Sequence, residues 1–372
     1  MRIGYNARTL SAPGLRGWNR YTVNLIEGLI RLGVEPILYT DQPIDPSHLA
    51  RLAPAAVERV SPAMPYDRWE QFWLPAQSKR DGVQLLHCPL NFGLPYFSHC
   101  PRVLTLHDAI DQRHAPSQSL QPKLTALRER LRHWIARTRA HRVITVSQHA
   151  QNDLVRYLGL PASKVVVIPE AADPRFHEVP LQATCESVLS RYDLNAPYFF
   201  YVGGWERRKN IPFLLRAFAQ AQLNGMELVL AGGKDDQRDE LLALARSLGM
   251  AHSLKLLGFV ADIDLPSLYA KAIAFVYPSE YEGFGLQLCE AMALGRPILC
   301  SNATSLPEVL GNGGATFPLD DASILADLMR RLATDAAYRD DLADRSRKRS
   351  TDFSWDRTAR ETLDVYRQLG AG

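Results

Sequence analysis

Two glutamates flank a glycine-rich turn in the second half of the chain. Glu282 precedes Gly283-Phe284-Gly285, and Glu290 follows after seven intervening residues, inside a helical pattern that opens near Leu286. The turn comes directly after the strand-like run Ile273–Tyr277. Glycines let the backbone bend, and the free N–H groups at the start of a helix hold anions. Because carboxylates accept hydrogen bonds from hydroxyl groups, the pattern predicts a sugar-phosphate pocket rather than two surface charges.

A second cluster of charged residues is cationic. The strand-like run Tyr198–Val202 leads to Arg207-Arg208-Lys209, followed by Asn210 near an expected helix cap and Pro212 in the first helical turn. Three cations at the positive end of a helix repel one another, and charge-assisted bonds to a phosphate would offset that repulsion. The cluster therefore predicts a phosphate site, with a solvated basic turn as the alternative.

The first half of the chain offers a histidine and two glycines at strand ends. His107 and Asp108 follow the run Arg102–Leu106, and ligands of open parallel sheets bind at the carboxyl ends of strands. The pair predicts a catalytic or sugar-positioning group, with a structural histidine as the alternative. Gly14 and Gly17 follow the first strand and permit close approach of backbone to ligand. The full dinucleotide fingerprint is absent there, so a loop that only turns the chain is the alternative.

Short apolar runs alternate with helical segments and would position these residues. This alternation is typical of parallel sheets built from right-handed β-α-β units. The predicted strands are 2–6, 36–40, 84–88, 102–106, 142–146 and 164–168, then 198–202, 227–231, 253–257, 273–277 and 297–301. The gap at 173–197 contains three prolines and is the predicted linker. We therefore predict an α/β fold with two Rossmann-like, doubly wound domains facing a central cleft, at 1–180 and 181–350. We expect a C-terminal helix in 351–372 that packs back toward the first domain.

Composition narrows the class of protein. The 372 residues are 46% hydrophobic and 22% charged, which excludes disordered and fibrous classes, and the net charge of +3 says little about partners. Five scattered cysteines without a Cys-x-x-Cys pair suit neither a disulfide framework nor structural zinc. No apolar run approaches the roughly 18–20 residues that span a bilayer, and no signal region precedes the first strand. The sequence predicts a reduced, cytoplasmic enzyme.

A basic amphipathic helix is predicted within residues 117–142. This segment holds seven Lys and Arg residues against one Glu. Its apolar positions recur at spacings of three and four: Leu120, Leu124, Leu127, Leu131, Trp134 and Ile135. The helix is either an ordinary domain helix or a contact for an anionic membrane surface or a lipid-diphosphate acceptor. Nucleic acid is not an expected partner, because no stacking aromatics interleave with the charges.

The motifs together resemble those of the retaining GT-B glycosyltransferases of family 4, over essentially the whole chain. The stretches that carry the resemblance are Glu282 to Glu290, Ala291-Met292-Ala293, Gly295-x-Pro297, Ile168 to Asp173, Arg208-Lys209-Asn210 and Gly258-Phe259-Val260. The resemblance implies that Arg208 and Lys209 bind the donor diphosphate, that Glu290 binds the ribose, and that Phe259 and Val260 contact the nucleobase. It also implies that Glu282 and Gly283–Leu286 hold the donor sugar, and that His107 and Asp108 lie beside the transferred sugar. Gly14 and Gly17 would contact phosphate and acceptor.

The resemblance also implies an activity. Members move a sugar from a nucleotide diphosphate sugar to an acceptor with retention and without a bound metal or other cofactor. GDP-mannose is the first donor to test, and the acceptor would be a saccharide or polyprenyl-linked saccharide in surface polysaccharide or glycolipid synthesis, at the inner face of the membrane. A sugar-nucleotide epimerase or hydrolase and a non-catalytic partner subunit are the alternatives.

Three features depart from the pattern or invite another interpretation. Asn19 stands where the family usually has a second glycine, and Gly204 where many members have arginine. Asp262-Ile263-Asp264 has the Asp-x-Asp form of metal-dependent glycosyltransferases of another fold. Acidic residues in a first helical turn explain that motif more simply.

Overall fold

A computed structural model describes residues 1–14, 17–109, 123–233 and 237–370. The chain divides into two compact units. The first comprises Met1–Glu170 together with Ser354–Gly372, and the second comprises Ala171–Phe353.

The first unit is built on a seven-stranded parallel sheet. The strands are β1 Arg2–Asn6, β2 Glu35–Thr40, β3 Val57–Val60, β4 Leu85–Cys88, β5 Arg102–Thr105, β6 Arg142–Thr145 and β7 Val165–Val167. They are ordered β3-β2-β1-β4-β5-β6-β7. Strands β4 and β5 are buried along their full length, as continuous apolar runs in parallel sheets are. The order reverses between β1 and β4, which is the point in such sheets where ligands bind.

Helices connect these strands. They are α1 Gly17–Arg31, α2 Pro46–Leu52, α3 Tyr66–Arg68, α4 Leu74–Arg80, α5 Lys123–Arg139 and α6 Gln148–Leu158, with 3-10 turns at Arg8–Ser11 and Ala162–Lys164. A π-helical segment, Trp69–Trp73, joins α3 to α4. The predicted basic helix is thus α5, and residues 117–122 of the prediction lie outside the described residues.

The second unit is built on a six-stranded parallel sheet ordered β10-β9-β8-β11-β12-β13. Its strands are β8 Tyr198–Val202, β9 Glu227–Ala231, β10 Leu254–Gly258, β11 Ala274–Tyr277, β12 Ile298–Ser301 and β13 Ala315–Phe317. Its helices are α7 Gln182–Arg191, α8 Ile211–Ala221, α9 Arg238–Ser247, α10 Leu265–Lys271, α11 Leu286–Ala293, α12 Leu306–Leu310, α13 Ala322–Thr334 and α14 Ala336–Ser350, with 3-10 turns at Pro174–Phe176 and Arg207–Lys209.

The C-terminal helix, α15 Trp355–Gln368, belongs to the first unit. It packs closely on α1, since a Cβ added at Gly28 would lie 2.8 Å from the Cβ of Ala359. It also reaches the sheet, where the Tyr366 hydroxyl lies 2.6 Å from Nδ1 of His87 on β4. The glycine on α1 is therefore what allows α15 to contribute a buried polar group to the sheet.

Two parallel, Rossmann-like sheets with helices confirm the predicted fold class. Three elements differ from the sequence prediction. Strands β3 and β13 were not predicted, and both lie at sheet edges, where fewer side chains are buried. Helix α7 lies inside the segment predicted as a linker. Its buried face consists of Cys185 and Val188, which is too few apolar positions to give a helical pattern in the sequence.

Candidate active site

The carboxylate of Glu282 gathers the polar groups at the end of β11. Its Oε1 accepts hydrogen bonds from Nζ of Lys209 at 2.5 Å, from Oγ of Ser279 at 2.6 Å and from the hydroxyl of Tyr277 at 3.0 Å. Lys209 is only 5% exposed, so the ion pair is buried. The sequence predicted the glutamate and the lysine separately, and the fold joins them.

Charge keeps Glu282 ionised. Burial raises the pKa of its carboxyl group, but the nearby charges of Lys209 and Arg208 and the hydrogen bonds outweigh burial, so the pKa lies below its usual value. The guanidinium Nη1 of Arg208 lies 3.4 Å from Oε1 of Glu282 and donates to the carbonyl of Tyr281 at 3.1 Å. The two predicted phosphate-binding cations therefore face the predicted sugar-binding turn.

The turn that carries the cations has an unusual backbone. Arg207–Lys209 forms a 3-10 turn, and Asn210 adopts a left-handed φ of 53° directly before α8. Asn210 occupies the predicted cap position, but its side chain makes no capping hydrogen bond. The turn is held instead by its neighbour across the sheet, because the Arg208 carbonyl accepts from the backbone N–H of Glu280 at 2.7 Å.

Glu290 lies at the start of the second turn of α11, which begins at Leu286 as predicted. Its side chain is 1% exposed, and its Oε2 accepts a hydrogen bond from the hydroxyl of Tyr269 at 2.9 Å. Gly285, immediately before the helix, has φ of 96°. A Cβ there would lie 2.6 Å from Cδ2 of Leu306, so both conformation and space require glycine.

A serine–threonine pair after β12 fixes the glycine turn. The Thr304 hydroxyl accepts from the backbone N–H of Glu282 at 3.0 Å. The Ser305 hydroxyl donates to the carbonyls of Glu282 at 3.0 Å and Phe284 at 3.1 Å. Sequence reasoning did not identify these residues. Their position directly after a strand that neighbours β11 is the signal that could have found them.

The predicted nucleobase residues follow β10. Phe259 is 72% exposed, whereas Val260 is buried. Gly258 precedes them with φ of 65°, and its carbonyl accepts from the N–H of Gly232 at 2.6 Å. The two side chains therefore differ in what they can offer, because only Phe259 presents an accessible ring.

In the first unit, both ring nitrogens and the backbone N–H of His107 have hydrogen-bond partners. Its Nδ1 lies 3.0 Å from Oε1 of Glu170, and its Nε2 lies 3.2 Å from the carbonyl of Pro89. Its backbone N–H donates to Oδ1 of Asn91 at 2.8 Å, and the Asn91 amide donates to Asp108 at 3.3 Å. Burial lowers the pKa of His107, but the hydrogen bond and charge of Glu170 outweigh burial, so the pKa is raised.

The predicted glycine loop is only partly described. Gly14 has φ of 81°, and Gly17 is the first residue of α1. Among the described residues, no atom lies within 4 Å of the position that a Cβ would take at either glycine. Residues 15 and 16 lie outside the described residues.

Two family models match this chain. The model of glycosyl transferases group 1 matches residues 190–349, and that of glycosyltransferase family 4 matches residues 15–176. The family 4 match lies largely in the first compact unit, and the group 1 match lies within the second. The chain belongs to the family 4 glycosyltransferases.

Relatives and solved structures give further detail. O-antigen chain mannosyltransferase B of Escherichia coli is 36% identical over 61% of this chain and 60% of its own length, so the chain matches less than two thirds of that relative. Uncharacterized glycosyltransferase MJ1607 of Methanocaldococcus jannaschii is 28% identical over 92% of both chains. The fold matches that of Anabaena Alr3699/HepE, solved with UDP and glucose, with a TM-score of 0.79 and 19% identity over 99% of this chain and 100% of that one.

This family 4 glycosyltransferase accommodates its two departures from the family pattern locally. The Asn19 amide donates to the carbonyl of Gly14 at 3.4 Å, so the added side chain braces the loop. A Cβ at Gly204 would lie 2.2 Å from Oε2 of Glu206. The Glu206 carboxylate thus lies where a side chain at Gly204 would begin.

The Asp-x-Asp motif of the glycosyltransferase is engaged by protein groups. Asp264 accepts hydrogen bonds from Nη1 of Arg191 at 2.7 and 2.9 Å and from the Tyr192 hydroxyl at 2.9 Å. Asp262 lies 3.9 Å from Nη1 of Arg175. In the described ranges, no three His, Cys, Asp or Glu side chains come together as metal ligands. The ion pair with Arg191 accounts for the buried aspartate.

The exposed face of α5 is partly apolar. Leu131 is 52% exposed and Trp134 is 41% exposed, while Ile135 is buried. The predicted apolar face is therefore split between core and surface. Of its other members, Leu120 lies outside the described residues, and the side chains of Leu124 and Leu127 are not described. No helix in the described part of the chain is long and apolar enough to cross a membrane.

Proposed function

We propose that this chain is a retaining glycosyltransferase that moves a hexose from a nucleotide diphosphate sugar, with GDP-mannose the favoured donor, to a saccharide or lipid-linked saccharide in surface polysaccharide or glycolipid synthesis. The observation that carries the proposal is the buried Glu282–Lys209 pair, with Arg208 beside it, on the glycine turn that opens α11. The name of the Escherichia coli relative, an O-antigen chain mannosyltransferase, supports mannose as the sugar.

The hydrogen-bond inventory of Lys209 suits a phosphate ligand. An ammonium group has three N–H donors. Within the described residues, Nζ of Lys209 donates to Glu282 at 2.5 Å and to the hydroxyl of Tyr277 at 2.8 Å, which leaves a third donor for a phosphate oxygen. Glu282 thereby holds the ammonium group in place while its own carboxylate remains charged beside the donor sugar.

The proposed reaction breaks the bond between the anomeric carbon and the diphosphate oxygen. Arg208, Lys209 and the N–H groups at the start of α11 stabilise the charge that develops on the departing diphosphate. The acceptor hydroxyl attacks the same face of the oxocarbenium-like sugar, and its proton passes to the departing phosphate oxygen. The new glycosidic bond therefore keeps the anomeric configuration. We assign the ribose hydroxyls to Glu290, the nucleobase to Phe259 and Val260, and the transferred sugar to His107.

A thermal-shift panel of GDP, UDP, ADP and dTDP tests the donor site. A cognate nucleotide at 100 times its Kd should add about 2.7 kcal/mol to the free energy of unfolding. We expect GDP to give the largest shift, Lys209→Met to abolish it, and Arg246→Gln, an exposed cation on α9, to keep it. If none of the four nucleotides raises the melting temperature, the donor site is wrongly assigned.

Turnover of GDP-mannose with and without acceptor tests the reaction. We expect product only with an acceptor, in the α configuration of the donor by NMR, and full activity in EDTA. Free mannose without acceptor would indicate a hydrolase, and an altered donor sugar an epimerase. No turnover of any donor would indicate a non-catalytic subunit. Loss of activity in EDTA would direct attention back to Asp262 and Asp264 as metal ligands.

We also propose that α5 contacts an anionic membrane surface at the inner face of the cell membrane. The exposed Leu131 and Trp134 stand among the exposed Arg128, Arg130 and Arg137, which is the composition of an interfacial helix. Basic residues near an anionic surface contribute about 1 kcal/mol each. We expect co-sedimentation with phosphatidylglycerol vesicles but not phosphatidylcholine vesicles, and its loss in Leu131→Ser/Trp134→Ser. Equal behaviour of the two vesicle types would refute this contact.

A further inference from the structure

Both ring nitrogens of His107 are already bonded within the first unit. The ring is 6% exposed, Nε2 faces the Pro89 carbonyl at 3.2 Å, and Nδ1 faces Oε1 of Glu170 at 3.0 Å. A carbonyl oxygen can only accept a hydrogen bond, so Nε2 carries a proton. Neither nitrogen therefore has a lone pair directed at a substrate.

The contact with Glu170 then requires a second proton. If Nδ1 were unprotonated and Glu170 ionised, two lone-pair-bearing atoms would face each other at 3.0 Å. One proton between them removes that conflict. It belongs on the imidazole, because histidine ordinarily has a pKa about two units higher than glutamate.

The other groups around the ring do not supply a competing partner. Tyr21 from α1 meets the ring edge-on, with centroids 4.7 Å apart, and burial raises the pKa of its hydroxyl far above neutrality. His87 on β4 is neutral near pH 7, since burial lowers its pKa to about 3. Asp108 is negative and favours a protonated His107. Of these three groups, Asp108 is the charged one, and its charge favours the same protonated state as the contact with Glu170.

We propose that Glu170 is a positioning residue that holds His107 as an imidazolium, so that this histidine serves the proposed glycosyl transfer as a fixed cation and not as a base or a nucleophile. The proposal rests on the proposed function for its role in transfer, but the protonation state belongs to the resting protein. The sugar would meet a rigid ring with delocalised positive charge. The acceptor proton would pass to the departing phosphate, as proposed above, because the ring has no vacant nitrogen to receive it.

Nitrogen-15 NMR of histidine-labelled protein tests the proposal without any substrate. The His107 resonances are assigned by their loss in His107→Gln. We expect both ring nitrogens to be protonated at pH 7.5, and the titration midpoint to fall by one to three units in Glu170→Gln, as loss of an adjacent carboxylate predicts. The exposed Glu178→Gln should leave the midpoint unchanged. A neutral His107 at pH 7.5, or equal midpoints in wild type and Glu170→Gln, would overturn the proposal.

Kinetics separate this proposal from the proposed function. Glu170→Gln should lower kcat increasingly as the pH rises from 6 to 8. The KM for the donor should stay unchanged, because the predicted contacts of its nucleobase and ribose lie in the second unit. Normal transfer with an unchanged pH profile in Glu170→Gln would overturn the positioning role and leave the function standing. Absence of transfer in the wild type, with an imidazolium seen by NMR, would overturn the function and the role of His107 in transfer, and would leave its protonation state standing. If Glu170→Gln fails to fold, the wild-type titration still decides the protonation state.

Discussion

Replacing Glu282 by alanine should destabilise the second unit strongly. The carboxylate carries hydrogen bonds from Lys209, Ser279 and Tyr277, and its loss strands an ammonium group that is 5% exposed. Among the described residues, the Tyr277 hydroxyl, at 2.8 Å, would be the hydrogen-bond partner that this ammonium group keeps. Breaking a buried ion pair from one side costs about 3–5 kcal/mol, because the surviving charge stays desolvated.

The cost should be visible in ordinary denaturation experiments. For a unit of this size, about 2–4 °C are lost per kcal/mol, so the melting temperature should fall by roughly 6–20 °C. Urea and thermal denaturation followed by circular dichroism measure the change. The matched control is Glu280→Ala, an exposed carboxylate two residues away, which should stay within about 0.5 kcal/mol of wild type.

A double variant identifies the cause of the loss. If the stranded charge is responsible, adding Lys209→Met to Glu282→Ala should restore part of the stability rather than lower it further. A loss below about 1 kcal/mol for Glu282→Ala, or purely additive losses in the double variant, would refute a buried, mutually dependent pair. The double variant should still fail to bind nucleotide, since it lacks both of the proposed donor-binding side chains, Glu282 and Lys209.

Three further outcomes follow from single contacts. His87 has a pKa of about 3 in the folded protein, so near pH 5 the unfolded chain protonates this histidine and the folded protein does not. The free energy of unfolding from thermal melts should therefore fall by about 2 kcal/mol between pH 7 and pH 5, and this part of the fall should be absent in His87→Gln. Glu290→Ala should weaken GDP binding in calorimetry, whereas unchanged affinity would exclude it from the ribose site. Gly285→Ala should cost about 1–3 kcal/mol in urea denaturation, since φ is 96° and Leu306 lies in the way, and a neutral effect would contradict that conformation.

The sequence predicted the centres of both sheets well because buried parallel strands are continuous apolar runs. Strand β8 was predicted at its observed bounds, and β4 and β5 within a residue at each end. The edge strand β3 escaped detection because Val57 and Val60 are exposed and the residues between them are charged. A strand with so little apolar surface is identified by its pairing with β2, and pairing is a tertiary property.

The candidate site was predictable where the chemistry is local. The glycine turn, Glu290 and the cation cluster are each contiguous in sequence, and their residue types indicate their ligands. The partner that connects them was not predictable in the same way, because the contact of Lys209 with Glu282 spans 73 residues. Tyr269, which binds Glu290, comes from another helix and has no motif of its own.

The two histidines of neighbouring strands show why such partners decide function. The ring of His87 lies between two hydroxyl groups, with Nδ1 2.6 Å from that of Tyr366 and Nε2 2.8 Å from that of Thr105. Burial without a neighbouring carboxylate lowers the pKa of His87. His107, which is also buried, contacts Glu170 and has a raised pKa. Because hydroxyl groups can either donate or accept, they suit a neutral ring, whereas a carboxylate stabilises a cation. Tyr366 lies 279 residues from His87, and Glu170 lies 63 residues from His107. The fold, and not the local sequence of either histidine, therefore determines which ring is an imidazolium at neutral pH.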